Sequence, residues 1–328
     1  MASDAVPSRS ALARWLVTLA PVIGLLLVIG VFALMSDAPD QYLSIRNLRI
    51  VFAQTVIVAL GAIGMTMIIV SGGIDLSVGS AIALTGVVTA VLLRGGHDPL
   101  IAIAAGIAMG GVVGILNGLA ITQLRVLPFI ATLGTLGVAR GAAKWLGDQQ
   151  TVNVPPTWVN ELAVTFPTPS WLLVAPGVWL SIALAMVMTV VLSRTVFGRR
   201  VFAIGSNEAA ARATGVATDR VKIAIYGLAG LFFGLSGVMQ MSRLRQGDPT
   251  VAIGTELDVI AAVVIGGGSL AGGEGTIAGA MVGALTMAFL RNGTQQMGWP
   301  NYIQEIIIGI IIVLAVAADR VRRARAGV

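Results

Sequence analysis

The chain of 328 residues contains no cysteine, one histidine and two lysines, and only 11% of its residues are charged. Each shortage excludes something. Without cysteine there is no disulfide, no thiolate nucleophile and no cysteine-ligated metal. The single histidine, His97, lies between Arg94 and Asp98 and cannot build a histidine metal cluster by itself. A phosphate-cradling loop of the form GxxxxGK[ST] needs a lysine before its hydroxyl residue. Lys144 follows two alanines and Lys222 follows Val221, so neither completes it. A charged fraction less than half the roughly 25% usual in soluble domains excludes an ordinary soluble enzyme.

What is abundant is apolar surface and glycine: 56% hydrophobic residues, 41 glycines and a mean hydropathy of +0.92. That combination predicts an all-α polytopic membrane protein, because packed transmembrane helices carry more glycine than soluble ones. At about 30 residues per pass with connections, the length holds roughly ten spans and no separate soluble domain. The net charge of +6 could point to nucleic acid, but its arginines fall between apolar runs and at both ends, the pattern of cytoplasmic membrane flanks. No nucleic-acid role is expected.

Uncharged or nearly uncharged runs lie near 15–35, 50–70, 76–93, 99–122, 126–143, 171–192, 223–241, 255–271, 275–290 and 302–318. The first is too long for a signal-peptide core and reads as a retained helix. The segment 193–222 holds six basic residues against Glu208 and Asp219, a net of +4, and should stay inside. Six passes before it and four after it put both termini in the cytoplasm. The expected organisation is a tail over 1–14, a membrane domain over 15–318 and a basic tail over 319–328. The outer face then receives 144–170, with Trp145, Trp158 and Trp171 at or near the interface.

Glycine spacing predicts how the helices meet. Gly106, Gly110, Gly114 and Gly118 recur every four residues, as do Gly275, Gly279 and Gly283, and Gly230 with Gly234. Such rows form shallow grooves for close helix packing, or line a solute path where they face a cavity. Two glycine clusters repeat the spacing GGxxLxxG at an offset of 194: Gly72, Gly73, Leu76 and Gly79, then Gly266, Gly267, Leu270 and Gly273. Paired interruptions read either as short cytoplasmic turns or as discontinuous helices whose free backbone groups face protein or water.

Few residues suggest chemistry. Gly234 to Gly237 spell GxSG, similar to the nucleophile site of rhomboid proteases, but no histidine is available to activate Ser236, which reads as a packing residue. Ion-coupled transport needs charges within the spans; the candidates are Asp75, Glu256, Asp258 and Arg140 with Lys144. Asp75 reads as a helix N-cap beside Ser77, or as a functional buried charge. The most specific segment is GRRVFAIGSNEAAARATGVATDRVKI. Ser206 can cap a short helix, Asn207 and Glu208 suit its first turn, Ala209, Ala210, Ala211 and Ala213 offer a small-residue surface, and Gly215 ends it. A capped helix with such a face fits a groove on a partner, or is simply a helical turn in a solvated loop.

These residues resemble the permease subunits of bacterial ABC importers for monosaccharides, the ribose, xylose, arabinose and galactose type. The resemblance spans about 42–318 and is carried in order by SGGIDLSVGS (71–80), ILNGLAI (115–121), LPFIATLGTLGVARG (127–141), GRRVFAIGSNEAAARATG (198–215) and IGGGSLAGGEGTIAGA (265–280). It implies an inner-membrane permease, not an enzyme, working as a homodimer with an ATPase subunit and a periplasmic or lipid-anchored sugar-binding protein. ATP and magnesium would act on that ATPase, leaving no cofactor on this chain. It also implies that EAAARATG is the coupling helix, although four residues rather than three separate Ala210 from Gly215 and the usual trailing proline is missing. For the path, Asn117, Phe129, Thr132 and Thr135 supply one aromatic face with amide and hydroxyl groups suited to a neutral sugar. Their alternatives are local caps and hydrogen bonds within their own helices. Arg243 and Arg245 are candidates for docking the binding protein. An ion-coupled carrier or channel is the alternative function.

Overall fold

The computed structural model describes residues 11–326; the first ten residues of the expected N-terminal tail and the last two of the C-terminal one lie outside it. Helices cover each apolar run. In chain order they are α1 (Ala11–Met35), the single turn α2 (Pro39–Tyr42), α3 (Ile45–Val70), α4 (Val78–Arg94), α5 (Pro99–Thr122), α6 (Pro128–Leu146) and α7 (Pro176–Arg194). There follow α8 (Val196–Ser206), α9 (Glu208–Ala213), α10 (Thr218–Leu244), α11 (Thr255–Ile265), α12 (Ile277–Gln296) and α13 (Asn301–Ala326). Proline at the first turn of α5, α6 and α7 starts each helix where a backbone donor has no partner in any case. Among the described residues, five helices, α3, α5, α7, α10 and residues Asn301–Val321 of α13, are long and apolar enough to cross a membrane. By contrast α11 stops at Ile265 rather than running to 271. Its 11 residues reach only about 16 Å, half of a bilayer core.

The centre of the bundle is α3. From Val51 to its end nearly every side chain is buried, because α10, α11, α12 and α7 pack around it. The most extensive pairing is α5 with α10, and glycine makes it. Cβ atoms added at Gly110 or Gly114 would collide with the backbone of Gly230, Gly234 or Tyr226; one at Gly118 would stand 2.8 Å from Ile223 Cα. Gly279 and Gly283 likewise face the backbone of Gly266 and Ala262, seating α12 on α11. The rows are therefore packing seams, not exposed path. Ser236 belongs to the same packing: its hydroxyl donates to Ile57 O at 2.7 Å.

Away from α9, strand β1 (Val152–Asn153) pairs antiparallel with β2 (Gln246–Gly247), joining the α6–α7 connection to the α10–α11 connection. Arg140 ties α6 to the same α10–α11 connection by donating to Pro249 O at 2.8 Å and Val251 O at 2.7 Å. Trp145, Trp158 and Trp171 are exposed on this part of the molecule.

Candidate functional site

Two helix breaks and the α8–α9 segment meet at one place. After α3 the chain turns on Gly72, with φ +81°, and after α11 on Gly267, with φ +89°, values that strain any side chain. Both ends close the same way: Gly72 and Gly73 donate to Ile69 O and Ile68 O, Gly267 and Gly268 to Val264 O and Val263 O. Equivalent residues are thus 195 apart, not the 194 of the sequence match. Gly266 stands where Ser71 stands, and Gly268 where Gly73 does. Both breaks are real helix ends.

The breaks are bound together. Gly273 N–H, in the second break, donates to Val70 O at the end of α3 at 2.8 Å. Gly205, near the end of α8, lies so close that an added Cβ would collide with Val70 O and stand 2.7 Å from Gly273 N. A Cβ on Gly272 would come within 3.0 Å of Gly72 Cα and 3.1 Å of Gly205 Cα. Three segments therefore share a backbone junction with no space for side chains. The far side of the second break is tied to α13, where Ser269 Oγ donates to Asp319 Oδ2.

Asp75, in the first break, is completely buried. Its Oδ1 accepts from Ser77 N at 2.7 Å and Ser77 Oγ at 2.6 Å, ahead of α4, whose N-terminal dipole favours negative charge. Its Oδ2 accepts from Asn117 Nδ2 at 3.2 Å, and the same amide donates to Ser77 Oγ at 2.9 Å. Asn117 and Thr132 are fully buried within the chain, and Leu76 N–H donates to Thr132 Oγ1 at 3.1 Å. Two of the four candidate path residues thus bind the first break to α5 and α6. Thr135 bonds its own helix at Ala131 O and is partly exposed, while Phe129 is 52% exposed on α6. Replacing Asn117 by Leu removes a donor to a buried carboxylate, a loss of about 1–3 kcal/mol. Thermal melting of the purified chain should fall accordingly, and stay unchanged in Thr135→Val.

The short helix α9 is capped by Asn207, whose Oδ1 accepts from Ala210 N at 2.9 Å; Ser206 instead ends α8. At its other end Gly215 takes φ +87°, and Gly215 and Val216 N–H groups close on Arg212 O and Ala211 O. Ion pairs fix it from behind: Glu208 to Lys222 at 2.5 Å, Arg212 to Asp219 at 2.8 Å, with Arg125 3.8 Å from Asp219. The Asp219 hydrogen bond raises the pKa of Arg212 further, so the guanidinium stays charged. Ala211 is buried against the chain, whereas Ala209, Ala210 and Ala213 form an open face of small residues.

Of the two candidate docking arginines, Arg245 is exposed and holds a left-handed φ of 56°. Arg243 turns inward instead, its Nε buried without a partner.

Residues 47–316 match a family described as branched-chain amino acid transport system, permease component. Among curated proteins, the chain is 39% identical to the ribose import permease protein of Escherichia coli K12, covering 93% of this chain and 94% of that one. The Bacillus subtilis 168 protein of the same name is also 39% identical over the same shares. An L-arabinose ABC transporter permease protein of Azospirillum brasilense is 35% identical over 89% of this chain and 85% of its own. An autoinducer 2 import system permease protein of Photorhabdus luminescens is 31% identical over 91% and 89%. No solved structure matches. Apolar spans, two paired helix breaks and an exposed capped helix between α8 and α10 are thus the features of a chain that belongs to this family of transport-system permease components.

Proposed function

We propose that the chain is the membrane permease of an ATP-driven importer for a monosaccharide, pentose or hexose, in the bacterial inner membrane. The observation that carries this reading is α9: an open small-residue helix, capped at both ends, whose stem is wedged between both helix breaks. The ribose and arabinose named for its relatives supply the substrate class. Ten passes with both termini cytoplasmic fit the charge distribution, with the 193–222 segment inside.

Two copies form the core, and the exposed face of α6 with Phe129 and Thr135 lines the path between them, while Asn117 and Thr132 hold the first break behind it. An ATPase subunit, with its ATP and magnesium, docks on Ala209, Ala210 and Ala213. A sugar-binding protein docks at the opposite end near Arg245. ATP binding moves α9, and through Gly205 it shifts both breaks and switches the side to which the path opens. Only a difference in ATPase binding between those two states can drive the switch.

The test is uptake of a panel of labelled pentoses and hexoses into vesicles holding the chain with its ATPase and binding protein. Accumulation of at least one sugar that requires ATP is expected. Uptake driven by a proton or sodium gradient without ATP, or uptake of no sugar in the panel, would overturn the reading.

A further inference from the structure

The end of the bundle opposite α9 holds two cavities that the α9 junction does not use. The 27 residues of α10 run about 40 Å from α9, so Gln240 and Arg243 in its last turns lie at that far end. One cavity is about 440 Å³ and the other about 200 Å³, and they share Ile253, Asp258, Arg291 and Gln295. Together they fall within the usual size of small-molecule sites.

Two polar atoms in the wall of the smaller cavity are buried without a hydrogen-bond partner among the described residues. Asp258 is 1% exposed; its Oδ2 pairs with Arg291, while its Oδ1 is buried with no partner. The buried Nε of Arg243, also in that wall, has none either. The side-chain amides of Gln240, which is 7% exposed, and of half-buried Gln54 make no hydrogen bond to the described residues. A buried polar atom left unpaired costs about 1–3 kcal/mol, so Asp258 Oδ1 and Arg243 Nε together favour a ligand that both donates and accepts. Hydroxyl groups do both. An anion would suit Arg243 but oppose Asp258 Oδ1, and a cation would suit Asp258 but oppose Arg243 and Arg291. Between the polar groups, Ile57, Val58 and Ile253 offer apolar wall for a C–H face.

We infer that this cavity is a binding subsite for a neutral polyhydroxyl solute, with Asp258 Oδ1 accepting, Arg243 Nε donating and the amides of Gln54 and Gln240 doing either. This rests on the sugar-import reading and assigns it a place in the chain. It also connects occupancy to the breaks, because Asp258 lies near the start of α11 and Gly266–Gly267 end the same rigid helix.

The lack of cysteine makes the test direct. Ile253 lines both cavities, is exposed and makes no side-chain hydrogen bond, so Ile253→Cys reports occupancy without removing a polar group. The variant is assembled with the ATPase in nanodiscs, without the binding protein, and its thiol is modified in the presence of a pentose, a hexose, sulfate or choline. At least one monosaccharide should slow modification several-fold, with sulfate and choline ineffective. Adding Gln240→Leu should raise the half-protecting sugar concentration about tenfold, the loss of one hydrogen bond. Gln54→Leu is the second variant if Gln240→Leu does not assemble. Equal slowing by sulfate or choline, or protection untouched by either leucine, would overturn the assignment. If the unsubstituted importer accumulates a sugar but no sugar protects the Ile253→Cys thiol, the subsite is wrong and the import reading stands. If the unsubstituted importer accumulates none, the import reading itself has failed.

Discussion

Tryptophan in place of Ala210 should strip the ATPase from the purified permease while leaving the permease inserted and melting normally. Ala210 is exposed on α9, so a large side chain meets nothing within the chain itself. It would enlarge the one surface that must fit a groove. Loss of a well-packed interface anchor costs at least about 2 kcal/mol, roughly thirtyfold in affinity, and a clash costs more. Co-purification of the ATPase should therefore fall to background. Ala211 is the contrasting position: it faces the chain, and a bulky substitution there should lower the melting temperature. Gly215→Val reaches the same end by another route. Its φ of +87° strains a β-branched residue by about 1–2 kcal/mol, more than a six-residue helix can absorb without fraying. Normal ATPase recovery with Ala210→Trp would place the docking surface elsewhere.

The opposite separation is expected for Gly205→Val. The ATPase should remain bound, because the open face of α9 is unchanged, but uptake should fall at least tenfold. A side chain at Gly205 collides with Val70 O and crowds Gly273, and both neighbours are backbone that cannot rotate aside. Overpacking of this kind costs about 1–3 kcal/mol and pushes α8 away from both breaks. Gly205→Ala should show a smaller loss in the same direction. Gly24→Ala, on α1 with nothing within 4 Å of the added atom, should leave uptake unchanged. Equal loss of uptake and of ATPase would mean that the junction holds the chain together and transmits nothing.

Much of this architecture was legible in the sequence because its signals are local. Apolar runs without charge gave helices at nearly the residues observed, and the capping and glycine pattern of residues 207–215 gave α9 within one residue, the cap being Asn207 and not Ser206. The breaks were visible as glycine clusters. Their register was misjudged by one because Leu76 and Leu270 look alike in a string, whereas the turn geometry aligns Gly72 with Gly267. Asn117 and Thr132 were singled out as polar residues in apolar helices, but a string does not reveal which side they face. Both turn toward the first break and the carboxylate at Asp75.

Two features depend on distant contacts and had only faint signals. Gly205 is an unremarked glycine in AIGS until α8 folds back against Val70 and Gly273, residues far from it in the chain. Gln54 and Gln240 interrupt apolar runs and Arg291 ends one, and polar groups at such depth are expensive enough to mark function. Only the fold shows that α3, α10 and α12 bring them around one cavity with Asp258.

The central claim is that drive enters at α9 and reaches the helix breaks through the glycine junction. Spin labels on two thiol pairs measure this directly: Ala217→Cys, beside the end of α9 and off its docking face, with His97→Cys, and Ala271→Cys with His97→Cys, all exposed positions in a cysteine-free chain. Excess unlabelled copy restricts the signal to distances within one chain. On trapping ATP on the bound ATPase, both distances should change together, α9 and the second break moving as one relative to the far end of the bundle. A change at Ala217 with none at Ala271 would contradict the account.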